Sequence, residues 1–149
     1  MAYKQRENQI ANMKFQHPFI LGAVVLGLAA STSVAELGDA SKLPPAAKTK
    51  VDFAKDLKPL FEKSCAKCHS GDKPKGKYKM DTVANIVKGG SSGDAAIIPG
   101  NSAKSPFVHY IADLVTDMEM PPTDKRDQYP VLTKEQIGLV RAWIDQGAK

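Results

Sequence analysis

The pattern of apolar and polar positions after residue 50 predicts a series of helices. In the first of them, apolar side chains follow a candidate N-cap, Asp52, at helical spacing: Phe53, Leu57, Leu60 and Phe61. Pro59 lies inside this pattern. Because proline has no backbone N–H to donate, we expect the helix to kink at Pro59 or to begin later than Asp52.

Two further helices are predicted from their start and stop signals. A short one covers residues 82–88 and ends at Gly89-Gly90. Another begins at Ser105-Pro106, where a capping hydroxyl precedes a proline at the first helical position. The apolar residues of this second helix are Phe107, Val108, Ile111 and Leu114.

The last predicted helix opens with a capping box over residues 133–136 and ends at Gly147. Its buried face is predicted to carry Ile137, Val140, Trp143 and Ile144. Residues 91–101 and 116–130 are rich in turn residues or in charge and are predicted to be loops. No segment has a convincing strand pattern. The predicted fold class is therefore all-α: a small helical domain whose long loops pack around a bound group.

The first 35 residues predict a secretory signal peptide. Residues 19–30 form an uncharged apolar run of 12 residues, shorter than the run of about 20 that crosses a bilayer. Lys14 precedes this run, and Ser33-Val34-Ala35 is a suitable cleavage site. Met13 is a possible true start, and an uncleaved anchor is the alternative. We therefore expect export to the periplasm.

A flexible linker is predicted between the signal peptide and the folded domain. Residues 36–50 contain few large apolar side chains and carry Pro44-Pro45, which favours an extended or disordered tether. The folded domain is predicted to begin near Val51 and to cover residues 51–149. A domain of this size has a limited core, which a bound cofactor could complete.

Composition and charge exclude little. The hydrophobic content of 42% is ordinary for a globular protein, and the formal net charge of +5 is mild and spread along the chain. Charge of this kind does not by itself indicate nucleic acid as a partner, and we expect none.

The chemistry of the chain is concentrated in the motif Cys65-Ala-Lys-Cys68-His69, which contains both cysteines of the protein. A redox dithiol would be expected beside a strand–helix–strand pattern, which is absent from the sequence. A structural zinc site needs four ligands, and adjacent residues such as Cys68 and His69 point in different directions on a helix. The third use is covalent attachment of haem.

Haem attachment suits each position of the motif. Residues i and i+3 lie on one face of a helix, so the thiols of Cys65 and Cys68 can reach the two vinyl groups of one porphyrin. His69 can then turn its imidazole to the iron, with its other ring nitrogen expected to donate to a backbone carbonyl. We therefore expect one covalently bound haem c.

Electron transfer at such an iron calls for a second axial ligand. Met120 is the preferred candidate, because Pro121-Pro122 stiffens the loop after it and reduces the entropy lost on ligation. Met118 lies two residues away and is an alternative. Met80 and His109 are the remaining candidates; we interpret Met80 as core packing and His109 as a surface or haem-edge residue.

The order of these motifs resembles the c-type cytochrome domain common in planctomycetes and related bacteria. The resemblance covers about residues 52–148 and includes a Met-Pro-Pro motif at 120–122 and a closing helix with Trp143-Ile144. It implies a small cytochrome c-like fold in which Met120 binds the iron. Met80 stands where the family usually has leucine, and Lys77-Tyr78 replaces the more usual small and apolar pair.

The expected function is that of a periplasmic monohaem cytochrome that carries single electrons, and not that of an enzyme. In this family the domain is often the front of a much larger protein, and a domain that stands alone favours a diffusible or tethered carrier. The alternatives are a fixed haem subunit of a larger oxidoreductase, and an open-site haem enzyme or gas sensor. Trp143 and Phe61 are expected to wall the haem, a role that overlaps with core packing.

Six lysines cluster around the haem motif and predict a docking surface for an acidic redox protein. The alternative is a merely solvated face. These residues are Lys63, Lys67, Lys73, Lys75, Lys77 and Lys79. No small-molecule substrate is expected.

Overall fold

The computed structural model describes residues 37–149, and these residues form helices and turns with no strand among them. The predicted all-α class is therefore confirmed for this part of the chain. Five α-helices follow one another along it: α1 Lys58–Ser64, α2 Ala66–His69, α3 Val83–Lys88, α4 Pro106–Ile111 and α5 Lys134–Asp145. The predicted signal peptide, the possible start at Met13 and the first residue of the predicted linker lie outside the described residues.

The first helical segment begins as predicted and changes from a π-helix to an α-helix at Lys58, next to Pro59. The Asp52 carboxylate accepts a hydrogen bond from the Lys55 N–H at 2.9 Å, which caps a π-helical turn over Phe53–Leu57. α1 then starts at Lys58, with Pro59 in its first turn. Proline is tolerated there because the first N–H groups of a helix have no partner inside it.

The predicted stop of α3 at Gly89 and the predicted capping box of α5 are confirmed. Thr82 accepts a hydrogen bond from the Asn85 N–H at 3.2 Å, and α3 ends at Gly89, whose φ of 92° suits glycine. Thr133 and Gln136 form the complete capping box at the start of α5.

α4 differs from its prediction at both ends. Its N-cap Ser105 makes no side-chain cap; the hydroxyl instead accepts from the Ile98 N–H and donates to the Asn101 carbonyl, because the preceding loop folds back onto it. The helix also ends before Leu114, since Asp113 takes a left-handed φ of 57°.

The prediction of a flexible linker is wrong for residues 37–50, which lie against α5. Leu43 is buried, and the Ala47 N–H donates to the Gly138 carbonyl at 2.9 Å. Gln146 adds two bonds, accepting from the Val51 N–H at 3.0 Å and donating to the Thr49 carbonyl at 2.8 Å. These polar backbone groups find partners about 95 residues away in sequence, which local composition does not reveal.

The core lies between α5 and the aromatic side chains of the first helical segment and α4. The Phe53 and Trp143 rings are 5.2 Å apart, and the Phe61 and Phe107 rings are 5.6 Å apart, edge to face. The expected buried face of α5 is confirmed for all of its four predicted residues. In the part of the chain that the structure describes, no helix has the length and apolar character needed to cross a bilayer.

Candidate functional site

The cysteine motif occupies one tight turn between α1 and α2. The Cys65 N–H donates to the Phe61 carbonyl at 2.8 Å, so the residue is still anchored to α1. The Cys65 carbonyl then accepts from the N–H groups of Cys68 and His69, both at 3.1 Å. The three functional residues are thus held by short-range backbone bonds on a single turn, with the two cysteines at positions i and i+3.

The two thiols are free and half-buried. Burial, with a smaller contribution from neighbouring Cys68, raises the pKa of Cys65 to about 12. A reactive dithiol needs a lowered thiol pKa, so the raised pKa of Cys65 does not suit that use. Among residues 37–149, moreover, no group of three or more His, Cys, Asp or Glu side chains is arranged to hold a metal ion.

His69 is oriented by the backbone of Tyr78. Its Nδ1 lies 3.2 Å from the Tyr78 carbonyl oxygen, which is the hydrogen bond that the motif predicted. A carbonyl can only accept, so Nδ1 carries the proton and Nε2 presents its lone pair. Burial lowers the pKa of His69, an effect partly offset by backbone hydrogen bonding to Tyr78 and Lys75. A lowered pKa favours the neutral imidazole, which is the form that binds metals.

Tyr78 supports His69 with its side chain as well as its carbonyl, a contact that sequence reasoning missed. The two rings are 5.3 Å apart and packed edge to face. Tyr78 Oη donates to the Ile86 carbonyl at 3.0 Å, and burial raises the pKa of this phenol. Gly90 lies behind it, where an added Cβ would collide with the Gly76 carbonyl oxygen and crowd Tyr78.

The three alternative axial ligands differ in exposure: Met80 is half-buried, Met118 is exposed and His109 is fully buried. Met80 is half-buried against the core, as its interpretation as packing required, and its N–H donates to the His69 carbonyl at 2.7 Å. Met118 is 39% exposed. The surface interpretation of His109 is wrong, because α4 carries this residue on its buried side with no exposed area. His109 Nε2 donates to the Ala103 carbonyl at 2.8 Å.

Met120 is half-buried against the same core and lies in a loop over residues 113–126, hereafter the Met120 loop. Its N–H donates to the Tyr110 carbonyl at 3.0 Å. Tyr110 is in the last turn of α4, where backbone carbonyls lack intrahelical partners. The end of α4 therefore supplies an acceptor that draws the loop back to the helix. The peptide bond between Met120 and Pro121 is cis.

A second anchor of the Met120 loop comes from Arg126, which sequence reasoning also missed. The Arg126 guanidinium donates from Nε to the Pro121 carbonyl at 3.1 Å. Its two terminal nitrogens donate to the two carboxylate oxygens of Asp113 at 2.9 and 2.7 Å. This bidentate pair raises the pKa of Arg126. A separation of 13 residues inside a charge-dense loop has no periodic signal by which the pair could have been found.

The donor set fits a covalently bound haem. Two free thiols share one helical turn, and an imidazole beside them presents Nε2. A thioether is also available on a loop with anchors of its own. Cys65, Cys68, His69 and Met120 are therefore the residues that could hold the porphyrin and its iron.

The lysine cluster lies in and around the turn that follows α2. Lys73, Lys77 and Lys79 line an open concavity of about 520 Å³ together with Asp72 and Pro74. Lys79 pairs with Asp81 at 3.8 Å. Within residues 37–149, the other five lysines of the cluster make no ion pair and are exposed: Lys63, Lys67, Lys73, Lys75 and Lys77.

Comparison with known proteins finds one family model that is similar to the part of the chain around this site. Residues 65–124 match the family model described as Planctomycete cytochrome C, a narrower range than the resemblance over residues 52–148. No curated protein matches the sequence. Among solved structures, hydrazine synthase from Kuenenia stuttgartiensis aligns with 22% identity and a TM-score of 0.40. That alignment covers 66% of this chain and 16% of the other chain.

The matched range begins at Cys65 and includes Cys68, His69 and Met120. It therefore contains every residue of the donor set. Domains of this type hold haem c covalently. Residues 65–124, which contain the whole donor set, are accordingly similar to the planctomycete cytochrome C family.

Proposed function

We propose that this protein is a periplasmic monohaem c-type cytochrome that carries single electrons between redox partners. The observation that supports this function most directly is the placement of His69, whose ring is held through Nδ1 with Nε2 presented, one residue after two thiols on the same turn. When bound, haem would supply a site that exchanges one electron between its ferrous and ferric states.

The residues of the cysteine turn would attach and orient the group. Cys65 and Cys68 would hold the porphyrin through two thioethers. His69 would bind the iron through Nε2, and the Tyr78 carbonyl would prevent the ring from rotating. Met120 would be the second axial ligand, and a thioether ligand gives a higher reduction potential than a second imidazole.

The buried aromatic side chains would keep water away from the site. Phe61 is 3% exposed and Trp143 is 1% exposed, and both belong to the core on which Cys65 and Met120 pack. An apolar surrounding of this kind disfavours the more charged ferric state and adds to the effect of the thioether.

We further propose that the exposed lysines around the turn dock an acidic redox protein. Five unpaired cations on one sequence segment favour electrostatic steering, which raises association rates at low salt. Reversing Lys73, Lys75 and Lys77 to Glu should slow electron transfer to a partner and flatten its salt dependence. Reversal of Lys104 and Lys134, exposed lysines on other elements, is the control. Equal effects of the two sets would remove the docking proposal.

An open-site haem enzyme or gas sensor is distinguished by its axial ligation. A carrier with Met120 on the iron should show the ferric charge-transfer absorption of methionine ligation and should bind carbon monoxide slowly. Met120→Ala should abolish the band and accelerate binding. A wild-type protein without the band, and with rapid carbon monoxide binding, would favour the open site.

A fixed haem subunit of a larger oxidoreductase is distinguished by association. The untagged native protein should elute at the size of a single small chain, with a mass increase equal to one haem. Stable co-purification with a larger protein through several columns would favour the fixed subunit, and a second haem mass would contradict the monohaem assignment.

A further inference from the structure

We propose that Arg126 is a positioning residue for Met120. It closes the Met120 loop against the end of α4 and thereby sets how readily the thioether leaves the iron. The inference rests on the proposed ligation by Met120, and it assigns to Arg126 and Asp113 a part in controlling that bond.

The ion pair joins the two ends of the Met120 loop. Asp113 follows the last turn of α4, and Arg126 follows the 3₁₀ turn Thr123–Lys125. Their bidentate contact brings together positions 13 residues apart, with Met120 between them. A loop of this size with joined ends resembles an Ω-loop, whose conformation depends on internal contacts and not on a regular backbone ladder.

Arg126 acts on the peptide units at Met120. Its Nε holds the carbonyl of Pro121, while the N–H of Met120 is held by Tyr110 in α4. The backbone is therefore fixed on both sides of the Met120 side chain, by a donor from one end of the loop and an acceptor from the helix. Removing either hydrogen bond would free backbone rotations around Met120. Binding of Met120 to the iron would then have to restrict those rotations, which costs entropy.

The contacts of Arg126 with Asp113 and Pro121, hereafter the brace, require both the planar guanidinium of an arginine and the carboxylate of residue 113. A guanidinium can direct three N–H groups at once to a carboxylate and a carbonyl, whereas a lysine ammonium is a point charge on a flexible stem. Asp113 has a φ of 57°, and aspartate is among the few residues other than glycine that adopt this region readily. The side chains of Arg126 and Asp113 are 28% and 42% exposed, so solvent can reach the ion pair.

Competition by imidazole for the ferric iron measures how easily Met120 is displaced. In the haem-loaded full chain, Arg126→Lys should raise the apparent imidazole affinity about three- to tenfold, because loss of directed hydrogen bonds weakens the closed loop. Asp113→Asn should have a similar effect. Since the two residues act as one brace, the double variant should show less than the product of the single effects.

Lys125→Gln is the matched control. Lys125 is adjacent in sequence and pairs only with exposed Asp124, at 3.1 Å, so its loss should leave imidazole affinity unchanged. An increase as large as that of Arg126→Lys would show that any substitution at this end of the loop eases displacement, whether or not it touches the ion pair, and would overturn the proposal.

The same titration in a Met120→Ala background separates positioning from a general effect on folding. With no thioether to place, Arg126→Lys should no longer alter imidazole affinity. If Arg126→Lys raised imidazole affinity equally with and without Met120, Arg126 would support only the fold, and the proposal would be overturned. The proposal would also be overturned if Arg126→Lys raised imidazole affinity in neither protein. Failure of the proposed ligation has a different signature, because Met120→Ala would then leave the ferric charge-transfer band of the parent protein unchanged.

Discussion

The cysteine turn and the Met120 loop are built in opposite ways, although both are expected to hold one iron. In the turn, Cys65, Cys68 and His69 are placed by backbone bonds between residues three and four apart. In the loop, Met120 is placed by a carbonyl of α4 and by an arginine six residues further on. The first construction is local and the second depends on tertiary contacts, so the two should respond differently to substitution.

The cysteine turn should be indispensable for covalent attachment of haem, whereas the Met120 loop should not be. In a Cys65→Ser/Cys68→Ser variant we expect complete loss of covalent haem, because no thiol remains to form a thioether. Met120→Ala should keep the haem attached and change only its ligation. Mass spectrometry of the denatured proteins measures both. Covalent haem on the double variant, or its absence from Met120→Ala, would contradict this division.

Disrupting the packing behind the cysteine turn should have the next largest effect. Gly90→Ala should lower the free energy of unfolding by about 3 kcal/mol, because its Cβ would displace the Gly76 carbonyl and Tyr78. Gly93 is the control, since its φ of 86° is strained for alanine but an added Cβ meets nothing within 4 Å. Gly93→Ala should cost about 1 kcal/mol. Urea unfolding followed by the fluorescence of Trp143 measures the two, and equal losses would argue against crowding at Gly90.

The smallest effect should come from the Tyr78 hydroxyl. Tyr78→Phe removes the hydrogen bond from Oη to the Ile86 carbonyl and should lower the free energy of unfolding by about 1 kcal/mol. The backbone carbonyl that holds His69 is retained, so the absorption spectrum should not change. A changed spectrum in this variant would show that the turn, like the loop, depends on side-chain contacts.

The same division explains what the sequence could predict. The glycine stop of α3, the capping box at Thr133, the helical class and the cysteine turn are local features, in which residues three or four apart determine the bonds. Tyr78 escaped prediction because its contact with His69 depends on left-handed backbone at Gly76 and Lys77, with φ of 60° and 54°.

The remaining errors concern partners that are distant in the chain. Residues 37–50 looked like a tether because they contain few apolar side chains, yet Leu43 is buried and several backbone groups find partners on or after α5. Ser105 has the composition of a cap, but the loop at Ile98 competes for its hydroxyl. Arg126 looked like one charge among many, since its distinction is a geometry that no local pattern encodes.

The central claim, that Met120 would be the second ligand of the iron held at the cysteine turn, is tested most directly by the ferric charge-transfer band of two neighbouring variants. Met118 lies two residues away and is 39% exposed, so Met118→Ala is matched in chemistry and position. We expect the band to be abolished in Met120→Ala and retained in Met118→Ala. Retention in Met120→Ala, or loss in Met118→Ala alone, would contradict the account.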